Sequence, residues 1–135
     1  MGKHKNTVLI QAIYGAFLRG DVPAILDKLA DDIEWKVGSP IDGVPMFGTY
    51  KGKSSFQQFF QKVADNFDIN VFDPNEYVSQ YDKVIAFVHV ELVAKKTGRP
   101  LNQDVVMAWT VQDGKVTKFR EYEDTGSVMT AIASG

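Results

Sequence analysis

Glu121 is the side chain in this sequence best placed by its neighbours to do chemistry. It lies in Asp113-Gly-Lys-Val-Thr-Lys-Phe-Arg-Glu-Tyr-Glu-Asp-Thr125, where an Asp-Gly turn launches a strand mixing apolar, basic and acidic residues. Alternation puts Glu121 on one face with Phe119 and Glu123, and Arg120 and Tyr122 on the other. If the Glu121 face looks inward, it carries a carboxylate into an aromatic cavity, where burial changes its pKa and reactivity. The opposing reading is a structural ion pair with Arg120 or Lys118. A second candidate is His89 with Glu91, two apart on a strand and therefore on one face, ~6–7 Å apart along the backbone. An exposed pair on a strand edge is the alternative there. Arg120 and Tyr122 fit a subunit interface better than a site, and Asp104 fits a solvated strand position.

The elements that position these groups follow from hydrophobic period. Leu9, Ile10, Ile13, Tyr14, Phe17 and Leu18 predict a helix over about 5–19, ended by Gly20. Asp21 caps a short second helix with Pro23 in its first turn, burying Ile25, Leu26 and Leu29. Ile33, Trp35 and Val37 alternate with Glu34 and Lys36 as a half-buried strand. The Gly- and Pro-rich stretch 38–53 reads as a long loop, and loops of that length are usually functional or mobile. Ser54 and Gln57 suggest a capping box for a third helix with Phe56, Phe59, Phe60, Val63 and Phe67 inward. From Ile69 the period becomes two, giving strands over 69–80, 83–95, 101–112 and 115–124, joined by short turns and hence antiparallel. Helices followed by a meander indicate an α+β domain over 1–135 with helices on one face of the sheet.

Composition narrows the function classes. The net charge is −2 with the signs interspersed, so no basic stripe awaits nucleic acid. There is no cysteine, which removes disulfides, thiolate nucleophiles and most zinc sites. Asp31-Asp32 has no third ligand at metal spacing, His4 has no role in a terminal segment, and no metal is expected. No apolar run reaches the ~18 residues of a membrane span, which points to a cytoplasmic protein with no membrane partner.

The order helix–helix–strand–helix–meander resembles the nuclear transport factor 2-like superfamily, and within it SnoaL-like, ketosteroid isomerase-related proteins. The resemblance is carried by Phe17-Leu-Arg-Gly-Asp21, Leu29-Ala-Asp-Asp32, Trp35, Tyr50-Lys-Gly52, Thr97-Gly98 and the Asp113–Thr125 stretch. It implies a cone: three N-terminal helices packed on a curved, mostly antiparallel sheet, with a pocket at the wide end gated by 38–53. It also implies a homodimer through the sheet's outer face.

Limonene epoxide hydrolases are similar over the same region, and their catalytic positions fall on His89, Glu91 and Glu121. The resemblance thus implies Glu121 as acid/base, Glu91 as its partner and His89 as the proton-holding group. Two carboxylates in one dry pocket cannot both ionise cheaply, so one stays protonated as a general acid. Trp35, Tyr14, Phe17, Tyr50, Phe60, Met107 and Trp109 would line the pocket. The expected activity is cofactor-free isomerisation, cyclisation or hydrolysis of a small apolar molecule bearing oxygen. Trp35 and Val37 stand where those hydrolases position water, and Met107 where the SnoaL-type cyclases place a histidine. That leaves a non-catalytic ligand-binding or adaptor module as the alternative, and nine phenylalanines make a filled, purely structural interior a third.

Overall fold

The computed structural model describes the backbone of residues 2–133, and side chains from residue 5 onward. His4 therefore lies outside the described side chains. Helix α1 (Gly2–Leu18) buries Ile10, Ile13 and Tyr14 of the expected stripe, together with Ala16, while Leu9 and Phe17 are half-buried and Leu18 at the helix end is exposed. Gly20, at φ +70°, turns the chain out of it. The Asp21 carboxylate then accepts from the Ala24 N–H at 3.2 Å and caps α2 (Val22–Leu26).

Strand β1 (Leu29–Val37) starts earlier than its alternation suggests. Leu29 belongs to it rather than to α2, because a register shift between Leu29 and Glu34 absorbs Asp31 and Asp32. The stretch 38–53 is also shorter as a loop than its composition implies, since β2 (Gly48–Lys51) pairs antiparallel with β1. Helix α3 (Lys53–Asn66) follows directly, and the expected Ser54/Gln57 capping box is not formed. Gly52, at φ +84°, makes the N-terminal turn, so Ser54 already lies inside the helix.

The meander is β3 (Phe67–Gln80), β4 (Lys83–Ala94), β5 (Pro100–Gln112) and β6 (Lys115–Tyr122). Among the described residues six strands form one sheet in the order β2-β1-β6-β5-β4-β3. All neighbours are antiparallel except β1 and β6, making the sheet mixed. The chain ends its described portion in α4 (Thr125–Ile132), an element not expected beyond the strand over 115–124. Asp124 caps α4 through the Ser127 N–H at 3.1 Å. Thr97 and Arg99, in the β4–β5 turn, donate to the carbonyls of Ala131, Thr130 and Ala133 and hold the helix against the sheet end.

Alternation decides what faces the helices. β4 buries Val84, Ala86, Val88 and Val90, while β5 buries Leu101, Val105, Met107 and Trp109. The opposite face carries half-buried Ile85, Phe87 and Val93 together with Val106 and Ala108. No described helix is long and apolar enough to cross a membrane.

Candidate functional site

Between the helices and the inner sheet face lies a cavity of about 140 Å³. Its walls are almost wholly apolar, with Phe17 and Phe60 at the helix side and Met107, Trp109 and Phe119 on the sheet. Polar side chains enter it at one corner: Gln103 from β5, Glu121 from β6 and Glu123 just beyond that strand. Tyr14 also lines the cavity, but its hydroxyl is committed. It accepts from Trp109 Nε1 at 2.9 Å and donates to Met107 Sδ at 3.2 Å. Burial pushes its phenol far above the usual range, so it stays neutral.

The acidic corner is built by period two. Phe119, Glu121 and Glu123 project to the same side, and Glu121 lies opposite Met107 across the β5–β6 ladder. Glu121 keeps some accessible surface, but it is surrounded by protein, and that surface faces the cavity and an adjoining hollow. Burial raises the Glu121 pKa well above its ordinary value, and the Glu123 charge and a hydrogen bond to Glu123 raise it further. Glu123 is raised too, by burial, with the hydrogen bond from Glu121 pulling the other way. Both carboxyls are raised, and Glu121, where burial and the neighbouring Glu123 charge act in the same direction, is the member of the pair that keeps a proton. Gln103 supports that assignment. Its Oε1 accepts from the Asp124 N–H at 2.9 Å, which points Nε2 towards Glu123 Oε2 at 3.5 Å.

The corner also adjoins a second space. Glu121, Glu123 and Phe47 line both the cavity and an outer hollow that includes Ser39, Arg120 and Thr125. The 38–47 segment closes over this point, with Val44, Met46 and Phe47 buried. Phe47 packs on Gly38 so closely that a Cβ there would come within 2.8 Å of its ring. Tyr50 donates to the Met46 carbonyl at 2.8 Å and ties β2 to the same segment.

The structure does not bring the three expected catalytic residues together. His89 and Glu91 project from the odd-numbered face of β4, opposite the face that contains Glu121 and the cavity. There His89 Nε2 lies 2.8 Å from Glu91 and Nδ1 lies 2.9 Å from Asp104, its ladder partner on β5. The two carboxylates raise the imidazole pKa. The group sits in mid-sheet rather than on a strand edge, and among the described residues no three such side chains form a metal-holding cluster. The alternative of a Glu121 ion pair with Arg120 or Lys118 is not formed either: both point to the outer face, and Arg120 lies over the Tyr122 ring at 4.8 Å.

Of the expected lining, Tyr14, Phe17, Phe60, Met107 and Trp109 do line the cavity. Trp35 and Tyr50 do not. Their rings stack with centroids 5.1 Å apart, and Phe56 and Phe59 of α3 pack edge-on against Trp35, so the pair fills the core behind the wall. Glu123 and Gln103 are the residues that sequence reasoning passed over. Glu123 shares the Glu121 face by the same parity, which was a usable signal. Gln103 carried none.

A SnoaL-like domain model matches residues 10–119, most of the chain. This protein belongs to the SnoaL-like family. A nuclear transport factor 2-like protein from Burkholderia xenovorans LB400 is 30% identical, covers 97% of this chain and 98% of its own, and superposes with a TM-score of 0.88. TerC, crystallised with polyporic acid, is 27% identical over 96% of this chain and 99% of its own, with a TM-score of 0.86. A protein from Rhodopseudomonas palustris, provisionally described as an isomerase, is 26% identical over 97% and 98% of the two chains, with a TM-score of 0.77. No curated protein sequence matches. The fold of this SnoaL-like chain is therefore that of the nuclear transport factor 2-like proteins, with a mixed sheet.

Proposed function

We propose that this SnoaL-like protein takes a small apolar, oxygen-bearing molecule into the cavity and catalyses cofactor-free acid/base chemistry on it, as an isomerase, cyclase or hydrolase. The observation that carries this reading is the Glu121–Glu123 carboxyl pair, with Gln103 beside it, at one corner of a cavity otherwise lined by apolar side chains. In this reading the sheet curls as a cone around the bound molecule. The crystallisation of TerC with polyporic acid supports a small organic ligand.

The chemistry follows from the division of the proton. Glu121 gives its proton to a carbonyl, hydroxyl or epoxide oxygen as negative charge develops there. Glu123 takes a proton from a substrate carbon or from water. The pair ends with one proton, as it began, and exchange through the outer hollow restores the starting arrangement. The dry walls keep Glu121 protonated and strengthen its hydrogen bond to the substrate oxygen.

The test is a panel of cyclic ketones, enones and epoxides, with binding followed by quenching of Trp109, which lines the cavity. Glu121→Gln keeps the shape and should retain binding while turnover falls by about 10²-fold or more. Turnover that survives this substitution refutes the acid/base reading. A second reading, a binding module without catalysis, is favoured by the Tyr14 hydroxyl being spent on Met107 and Trp109. Binding without turnover, unchanged in Glu121→Gln and Glu123→Gln, would select it.

A further inference from the structure

On the helix side the cavity abuts a second hollow of about 390 Å³ between α1, α2 and α3. Five residues, Phe17, Ile25, Phe60, Val63 and Ile69, line both spaces. The wall between them is thus one layer of side chains. Phe17 and Phe60 stack within it at 5.5 Å between centroids. Neither ring is fully buried, and Ile69 remains 40% exposed, so apolar surface of the wall faces the second hollow. Beyond the wall the hollow is floored by Val22 and Ala64, and its polar side chains are Gln57 and Gln61 on α3. Among the described residues no charged side chain lines it.

We infer that the two spaces form one binding channel, and that the ligand is an amphipathic molecule with an oxygen-bearing head and an alkyl chain. The inference deepens the proposed function by naming the substrate class, and its head-group half rests on that reading. The head occupies the cavity against Glu121. The chain passes the Phe17–Phe60 stack and runs along the apolar floor of the outer hollow to solvent. A cavity of about 140 Å³ accommodates little more than a single ring, since a dry cavity of about that size in another protein holds benzene. A longer chain has one apolar way out, because the other opening is bordered by Glu121, Glu123, Arg120 and Thr125. Apolar lining without a charged group selects a neutral hydrocarbon chain over a phosphate- or peptide-bearing extension.

The experiment measures affinities of cyclohexanone and its 4-butyl and 4-octyl derivatives, and of 1-decanol, for the wild type and for Ala64→Trp. Ala64 is exposed on α3 and lines the outer hollow but not the cavity, so the indole fills the chain's path and leaves the head-group site untouched. In the wild type, affinity should rise by up to about fourfold per methylene and level off once the chain reaches solvent. In Ala64→Trp, the octyl ketone should fall to the affinity of the unsubstituted ring, and decanol should lose at least about tenfold. A flat series, or equal decanol affinity in both proteins, overturns the channel while cyclohexanone binding leaves the acid/base site standing. Decanol binding that Ala64→Trp abolishes, with no ketone bound, supports the channel and refutes the head-group reading. Failure of decanol to bind the wild type overturns the channel outright. Thermal melting of the variant confirms that it is folded.

Discussion

Replacing the buried acid at the polar corner of the cavity should make the protein more stable, not less, and increasingly so as pH rises. In the folded state Glu121 keeps its proton well above the ordinary carboxyl value of 4.5, because burial and the neighbouring Glu123 charge both oppose ionisation. In the unfolded chain it ionises near 4.5. Between those two pH values the folded protein therefore binds one proton more than the unfolded one, and stability falls as pH rises. The stability associated with the protonated group is complete below the unfolded pKa and lost as pH climbs to the folded one. One proton of difference corresponds to about 1.4 kcal/mol per pH unit. Glu121→Gln removes the titration while its amide can still donate to Glu123.

Urea unfolding of both proteins at intervals from about pH 4 to pH 8 tests this. The two curves should run together at the acid end and then diverge. The variant should gain about 1.4 kcal/mol relative to wild type for each pH unit between the unfolded and folded pKa values, and no more beyond the folded one. Because the pair titrates as a unit, the divergence reports its upper step and the Glu123 contribution remains in both proteins. Parallel curves across the range would refute the assignment of the proton to Glu121, and with it the general-acid role.

Three further outcomes follow from the same geometry. Tyr14→Phe removes the acceptor of the buried Trp109 N–H and should cost about 1–3 kcal/mol in urea unfolding, with a smaller added loss when Trp109→Phe is already present. Gly38→Ala forces a side chain into φ +56° and against the Phe47 ring, so it should destabilise by at least about 1–2 kcal/mol and displace Phe47, read from its ring proton shifts. We propose that a second copy covers the outer sheet face, where Phe87 and Ile85 lie half-buried beside exposed Tyr122. Light scattering should give a dimer mass for the wild type and a monomer mass for Phe87→Lys, and a monomeric wild type would refute the interface.

Much of the path to the site was written locally. Asp21, Gly20 and the Asp113-Gly114 turn act through their own backbone preferences, with Asp113 at φ 53° and Gly114 at φ 76°, so they read the same in any context. Once that turn fixed the start of β6, parity alone put Phe119, Glu121 and Glu123 on one face. Other local signals were too weak to compete. Gly52 capped α3 two residues before the Ser54 signal, and α4 has little period to announce it beyond the Asp124 cap.

Which face of a strand looks at the cavity is a different kind of fact. β4 is apolar on both sides, with Val84, Ala86, Val88 and Val90 against Ile85, Phe87 and Val93, so period two identifies the faces without ranking them. Helix packing ranked them, and it sent His89 and Glu91 outward to Asp104 while Glu121 turned in. The proton of the acidic corner was decided at the same level. Sequence placed two carboxylates two residues apart on a strand. Only the surrounding wall of Phe47, Met107, Phe119 and Val128 removed the water that would have let both ionise.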